Sequence, residues 1–147
     1  MLPSKQPDHC LDVLVGTQAA GWGAALVLVG DGPELAATLD RVHELGVVAQ
    51  VVAMGYRDDA HGLLAAADVV LVPSVSEGTP RRIEAFVMAV PVVGAGIPGL
   101  VELVGDDGSL AVPYDRIALA VAAVEALAGR PSASWHGPRP HTWVVVR

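Results

Sequence analysis

The sequence has a single cysteine, Cys10, so no internal disulfide can form and a reducing, cytoplasmic location is expected. Basic residues are also scarce, with nine Lys and Arg against sixteen Asp and Glu and a net charge of −7. That balance argues against nucleic acid or an anionic membrane surface as a partner. A phosphate group would have to be held locally, by backbone amides or a few basic side chains. No apolar leader opens the chain, because Met1 to Cys10 is polar and contains prolines. The uncharged, mostly apolar run Ala85 to Val101 falls short of spanning a bilayer and is broken by Pro91, Pro98 and three glycines. No integral membrane segment is expected there. Aromatic residues make up only 4% of the chain, and Val, Ala and Leu take their place.

What is present fits a globular α/β unit. The chain has 147 residues, 52% hydrophobic and 17% charged, enough for one domain with a real core. Short β-branched runs alternate with helical stretches. Strands are expected near 25–29, 47–53, 69–72, 91–94 and 110–112, with helices over 34–45, 59–66, 79–89 and 115–128. Wholly apolar strands separated by helices imply a doubly wound, Rossmann-like parallel sheet covered on both faces. Residues 1–23 carry only a weak helical stretch, Leu11 to Val15. Residues 131–147 contain no acid and show no helical period. The expected organisation is therefore a weakly patterned segment (1–23), a Rossmann-like domain (24–130) and a flexible extension (131–147).

Ligands of open α/β sheets sit beyond the carboxyl ends of the strands, so the loops there carry the candidates. The richest follows strand 69–72 and reads Pro73-Ser74-Val75-Ser76-Glu77-Gly78-Thr79-Pro80-Arg81. Thr79 suits an N-cap and Pro80 a first helical position, while Gly78 lets a ligand approach the backbone. Free helix-start amides and Arg81 would favour an anion. An ordinary capped helix explains most of this, but Glu77 is not needed for capping and can accept hydrogen bonds from sugar hydroxyls. Gly30-Asp31-Gly32-Pro33 is either a plain turn or a ligand-contacting one. Arg57, after Gly55 and Tyr56, faces a ligand or pairs with Asp58 or Asp59 on the surface. Gly94 to Gly99 matches the dinucleotide fingerprint only formally, late in the chain. The five histidines are dispersed and resemble no metal site.

From Leu26 to Pro131 the sequence resembles the C-terminal domain of retaining glycosyltransferases of the GT-B fold. The landmarks are L-V-L-V-G-D-G-P-E-L (26–35), M-G-Y-R-D-D (54–59), L-L-A-A-A-D-V-V-L-V-P-S (63–74), S-E-G-T-P-R (76–81), E-A-F-V-M-A-V-P-V-V (84–93) and I-P-G-L-V-E-L-V (97–104). Their ordered spacing covers roughly seven-tenths of the chain. The resemblance implies a nucleotide-diphosphate sugar as donor substrate, no cofactor, and transfer with retention. It makes Glu77 the catalytic candidate, touching the donor sugar, and Glu84 the contact to the ribose. Gly78, Thr79, Pro80, Arg81, Gly30, Gly32, Gly55, Tyr56 and Arg57 complete the expected donor-binding set.

Three departures stand out. The family separates its two glutamates by seven residues, whereas six lie between Glu77 and Glu84. One residue on a helix is a rotation of ~100°. Ala89 stands where the family usually has glycine. The Q-P-D-H at Gln6 to His9 carries Pro7 where the family has a phosphate-binding lysine, and Lys5 is the nearby substitute. The expectation is thus a donor-binding half that transfers no sugar alone and needs a separate acceptor-binding domain or subunit. A non-catalytic nucleotide-binding remnant is the alternative, and a nicotinamide-dependent dehydrogenase a distant third.

Overall fold

The computed structural model describes residues 6–74, 90–96, 110–112, 115–128 and 141–146. In chain order these form α1 (Pro7–Ala19), β1 (Ala24–Val29), α2 (Glu34–Glu44), β2 (Val51–Ala53), α3 (Ala60–Ala66), β3 (Val69–Val72), β4 (Val92–Ala95), β5 (Leu110–Val112), α4 (Arg116–Ala128) and β6 (His141–Val146). The six strands make one sheet in the order β2-β1-β6-β3-β4-β5, and every pairing is parallel.

Strand composition explains why the sheet is covered twice. Alternate residues of a strand face opposite sides. Leu26 and Leu28 of β1 join Val69, Leu71 and Val93 in a core roofed by α1, α2 and α4. Val27 and Val29 join Val70, Val72 and Val92 in a second core, with Ala60 and Leu64 of α3. Apolar residues at successive positions of β3 and β4, and at all but one position of β1, are thereby buried, as in the doubly wound class. Each Leu or Val so buried contributes ~1.5–3 kcal/mol relative to exposure.

Local chemistry sets the element ends. Gly46 adopts a φ of +69°, and its N–H donates to the His43 carbonyl while Val47 N–H donates to that of Val42. This pair of bonds is a left-handed stop for α2. At the start of α4 the Asp115 carboxylate accepts from the N–H groups of Ile117 (2.7 Å) and Ala118 (2.9 Å), an N-cap.

Three sequence expectations differ from the structure. The strand expected over 47–53 is confined to Val51–Ala53, because the stop after α2 runs into a short 3-10 turn at Val48–Gln50. The segment expected to be only weakly helical forms α1, thirteen residues long, with Cys10, Leu11, Val13 and Leu14 buried against the sheet and α4. Tertiary packing carries this helix despite Gly16 in its middle. The tail expected as a flexible extension contains β6, the third strand of the sheet. Six apolar-tolerant residues were enough for a strand, but nothing local announced that they would enter between β1 and β3. The helix expected over 79–89 lies outside the described residues.

Candidate functional site

Every strand of a parallel sheet points its carboxyl end to the same edge, so the segments leaving β1, β2 and β3 share one rim. Two of them are joined directly. Met54 N–H donates to the Leu28 carbonyl at 2.9 Å, and Gly30 N–H donates to the Gly55 carbonyl at 2.6 Å. The β1–β2 ladder thus continues one step beyond the strands and brings Gly30 and Gly55 together. Both need their glycine: Gly30 has φ +120° and Gly55 φ +65°. Gly32 follows at φ +128° and leads into α2, whose start has no side-chain cap. The backbone at Gly32 and Gly55 is therefore open to close approach, while Gly30 is buried beneath it.

The other expected residues of this region divide. Tyr56 stands on the same loop with half its surface exposed. Arg57 is committed elsewhere. Its guanidinium holds the Asp59 carboxylate by two bonds, Nε to Oδ1 at 2.6 Å and Nη2 to Oδ2 at 2.5 Å. The bidentate bond raises the Arg57 pKa and lowers that of Asp59. Of the alternatives open in the sequence, pairing with Asp59 is the one observed. On the far side of the sheet centre, Pro73 and Ser74 leave β3 fully buried. Lys5, Glu77, Gly78, Thr79, Pro80, Arg81 and Glu84 lie outside the described residues.

Charge at the rim is informative. Each of the three arginines among the described residues sits in an ion pair: Arg41 with Glu44, Arg57 with Asp59, and Arg116 with Asp12. Asp31 and Glu34 add negative charge beside Gly32. The described rim can therefore offer an anion backbone amides, but no uncommitted arginine. Among the described residues no cluster of three His, Cys, Asp or Glu could hold a metal ion, and no helix is long and apolar enough to cross a membrane. Gly94 lies within β4 rather than in a strand-to-helix turn, which removes the structural context the dinucleotide fingerprint requires.

A cavity of about 610 Å3 lies away from this rim, between α1, α4 and the end of α2. Val15, Ala20, Leu45, Ile117 and Val121 make its walls. Its polar lining is Asp12, Arg116 and Glu125, and the one cation is already paired with Asp12. Such a groove does not suit a diphosphate. Sequence reasoning placed only a weak helical stretch, Leu11 to Val15, where α1 lines this surface. The signal available was Pro7 at a helix start followed by Cys10, Leu11, Val13 and Leu14.

Comparison with known proteins agrees with the fold. Residues 3–129 match the family profile described as glycosyl transferases group 1. The chain is 35% identical over 107 residues to N-acetyl-alpha-D-glucosaminyl L-malate synthase of Bacillus anthracis, covering 71% of this chain and 28% of that protein. It is 32% identical over 100 residues to 2-deoxystreptamine glucosyltransferase of Streptomyces kanamyceticus, covering 66% and 26%. Among solved structures it superposes on Anabaena HepE in complex with UDP and glucose, with a TM-score of 0.69 and 26% identity. That match covers 86% of this chain and 40% of HepE. The chain spans little more than a quarter of the curated relatives' length.

Proposed function

Because the chain belongs to the group 1 glycosyltransferases, with a Rossmann-like fold of the GT-B type, we propose that it is the donor-binding half of a retaining enzyme. The ligand is a nucleotide-diphosphate sugar, and the chain transfers no sugar without an acceptor-binding partner domain or subunit. The observation that carries this reading is the Gly30–Gly55 junction, where two glycine-bearing strand-end loops meet beside the start of α2. HepE, in its complex, holds UDP and glucose.

Roles follow from chemistry. The amides that follow Gly32 at the start of α2, and those around Gly78 and Thr79, receive phosphate oxygens, since a helix start offers N–H groups and a positive dipole end. Tyr56 lies toward the nucleotide base. Glu77 accepts from a sugar hydroxyl and Glu84 from the ribose. With the described arginines paired, the counter-charge for the diphosphate comes from Lys5 and Arg81. Each charge-assisted bond contributes ~1.5–3 kcal/mol, and ordering the ligand offsets much of it. Binding by the isolated chain is therefore weak.

Transfer needs more than binding. The acceptor oxygen must be held near the anomeric carbon and water excluded, effects that arise when a second domain closes over the first. A panel of nucleotide sugars tested by thermal stabilisation, with a radiolabelled transfer assay on the same protein, decides the matter. Stabilisation by at least one nucleotide sugar and no transfer is the expected result. Robust transfer by the chain alone would refute the half-enzyme reading. The non-catalytic alternative is favoured by the six-residue spacing of Glu77 and Glu84. Nucleotide-sugar binding that survives unchanged in Glu77→Ala would remove Glu77 from the site.

A further inference from the structure

Among the described residues β2 is an edge of the sheet, and it carries neither the lysine nor the proline that commonly keeps sheet edges apart. From Leu45 to Tyr56 twelve successive residues include no charge, in a chain whose net charge is −7. The nearest charges on either side, Glu44 and Arg57, are each neutralised by a partner, Arg41 and Asp59. Among the described residues, four of the seven large hydrophobic side chains left exposed lie on this stretch: Val48 (49%), Val52 (48%), Met54 (37%) and Tyr56 (56%). The other three, Val15, Ile117 and Val121, belong to the groove between α1 and α4.

Hydrogen-bond direction fixes what that edge offers. Met54 N–H donates inward, to the Leu28 carbonyl. Backbone groups alternate sides along a strand, so Val52 also faces β1, and the N–H and C=O groups of Val51 and Ala53 face outward. We propose that β2 is a homodimer edge, on which a second copy of the chain adds its own β2 antiparallel, about a two-fold axis through Val52. In that register Val51 and the partner's Ala53 exchange both N–H···O=C bonds, and Ala53 does the same with the partner's Val51. Val52 then stands opposite its own copy, in a pair whose Cα atoms approach to about 4.5 Å. Val48 and Tyr56 lie four residues either side of Val52, so the two-fold turns the exposed Val48 of each copy toward the exposed Tyr56 of the other. Charge selects a second copy over an unlike partner. A basic or acidic protein gains nothing from an uncharged edge, whereas two chains of like net charge approach at least cost where neither presents any. The contact does not depend on the function proposed above.

Sedimentation velocity and amide hydrogen exchange on the full chain, over a concentration series, provide the test. Association should rise with concentration, and exchange at Val51 and Ala53 should slow roughly tenfold or more as it does. Met54, already bonded to β1, should be protected throughout. Two variants separate the edge from the fold. Ala53→Pro removes an outward N–H and leaves the β1 ladder intact, a position at which a strand tolerates proline. Val52→Lys sets two like charges opposite each other across the axis. Both should fold and sediment as monomers at every concentration, while Val121→Lys, in the groove, should associate like the unsubstituted chain. The exchange measurement needs no variant, so it decides even where both substitutions prevent folding. A monomer throughout the series, with Val51 and Ala53 exchanging equally fast at every concentration, would overturn the proposal. Association that survives Ala53→Pro, or that is lost only in Val121→Lys, would overturn it as well.

Discussion

β1 has two neighbours in the sheet, and they are held very differently. On one side β2 aligns three residues with it, ends the sheet, and leaves Val52 48% exposed. On the other, β6 aligns all six of its residues with it, and three of those six with β3 as well. The edge strand carries the Gly55 loop to the rim; the central strand holds the two halves of the sheet together. Damage to the first is absorbed locally, whereas damage to the second reaches both cores, since each contains residues of β1 and β3.

Proline probes this contrast most strongly. Proline in an interior strand removes a ladder bond and is tolerated chiefly at edges. Val144→Pro should abolish the cooperative thermal transition, while Val52→Pro should lower Tm and keep it cooperative. Similar melting curves for the two would erase the distinction between centre and edge. A smaller effect sharpens the comparison on the helical layer. A Cβ at Gly16 would stand 2.9 Å from the Ala120 Cβ, whereas one at Gly62 meets nothing within 4 Å. Gly16→Ala should therefore cost ~1–3 kcal/mol through overpacking of α1 on α4. Gly62→Ala should gain ~0.5–1 kcal/mol in α3, both measured by urea denaturation.

The next effect depends on pH. Burial, then Arg116, holds the His9 imidazole below its usual 6.5, partly opposed by Asp12 and Asp8. Between that lowered value and 6.5 the unfolded chain binds a proton that the folded chain refuses. Stability is thus complete above about pH 6.5, falls as pH drops through the window, and levels off below the folded value. His9→Gln should flatten that part of a Tm-versus-pH curve; an unchanged slope would assign it to other groups. The smallest effect is expected at the rim's edge loop. Arg57 and Asp59 pair in solvent, so Arg57→Ala should leave Tm unchanged within error. If the variant instead weakens nucleotide binding, the guanidinium releases Asp59 when ligand arrives.

Much of this architecture was legible in the residues. Ala25–Val29, Val69–Val72 and Leu110–Val112 are short apolar runs bounded by turn residues, and all fall within observed strands. Leu35, Leu39, Val42 and Leu45 recur at helical spacing, and Gly46 marked the stop. Two things were not legible. α1 depends on the packing of Cys10, Leu11 and Leu14 against α4 more than on its own propensity, with Gly16 weakening the pattern. β6 has a strand's composition, but no local pattern encodes its place between β1 and β3. Of the site, the Gly30, Gly32 and Gly55 positions were readable as turns. Their joining by one hydrogen bond was not, because it depends on how β2 registers with β1.

The central claim is that the carboxyl rim of the sheet, and not the apolar groove between α1 and α4, receives the nucleotide. Amide resonances recorded while UDP is added to the full chain test it most directly. The account predicts saturable shifts at Gly30, Gly32 and Gly55, with Val15, Ala120 and Val121 of the groove unmoved. Shifts confined to the groove, or none at any residue up to saturating UDP, would contradict it.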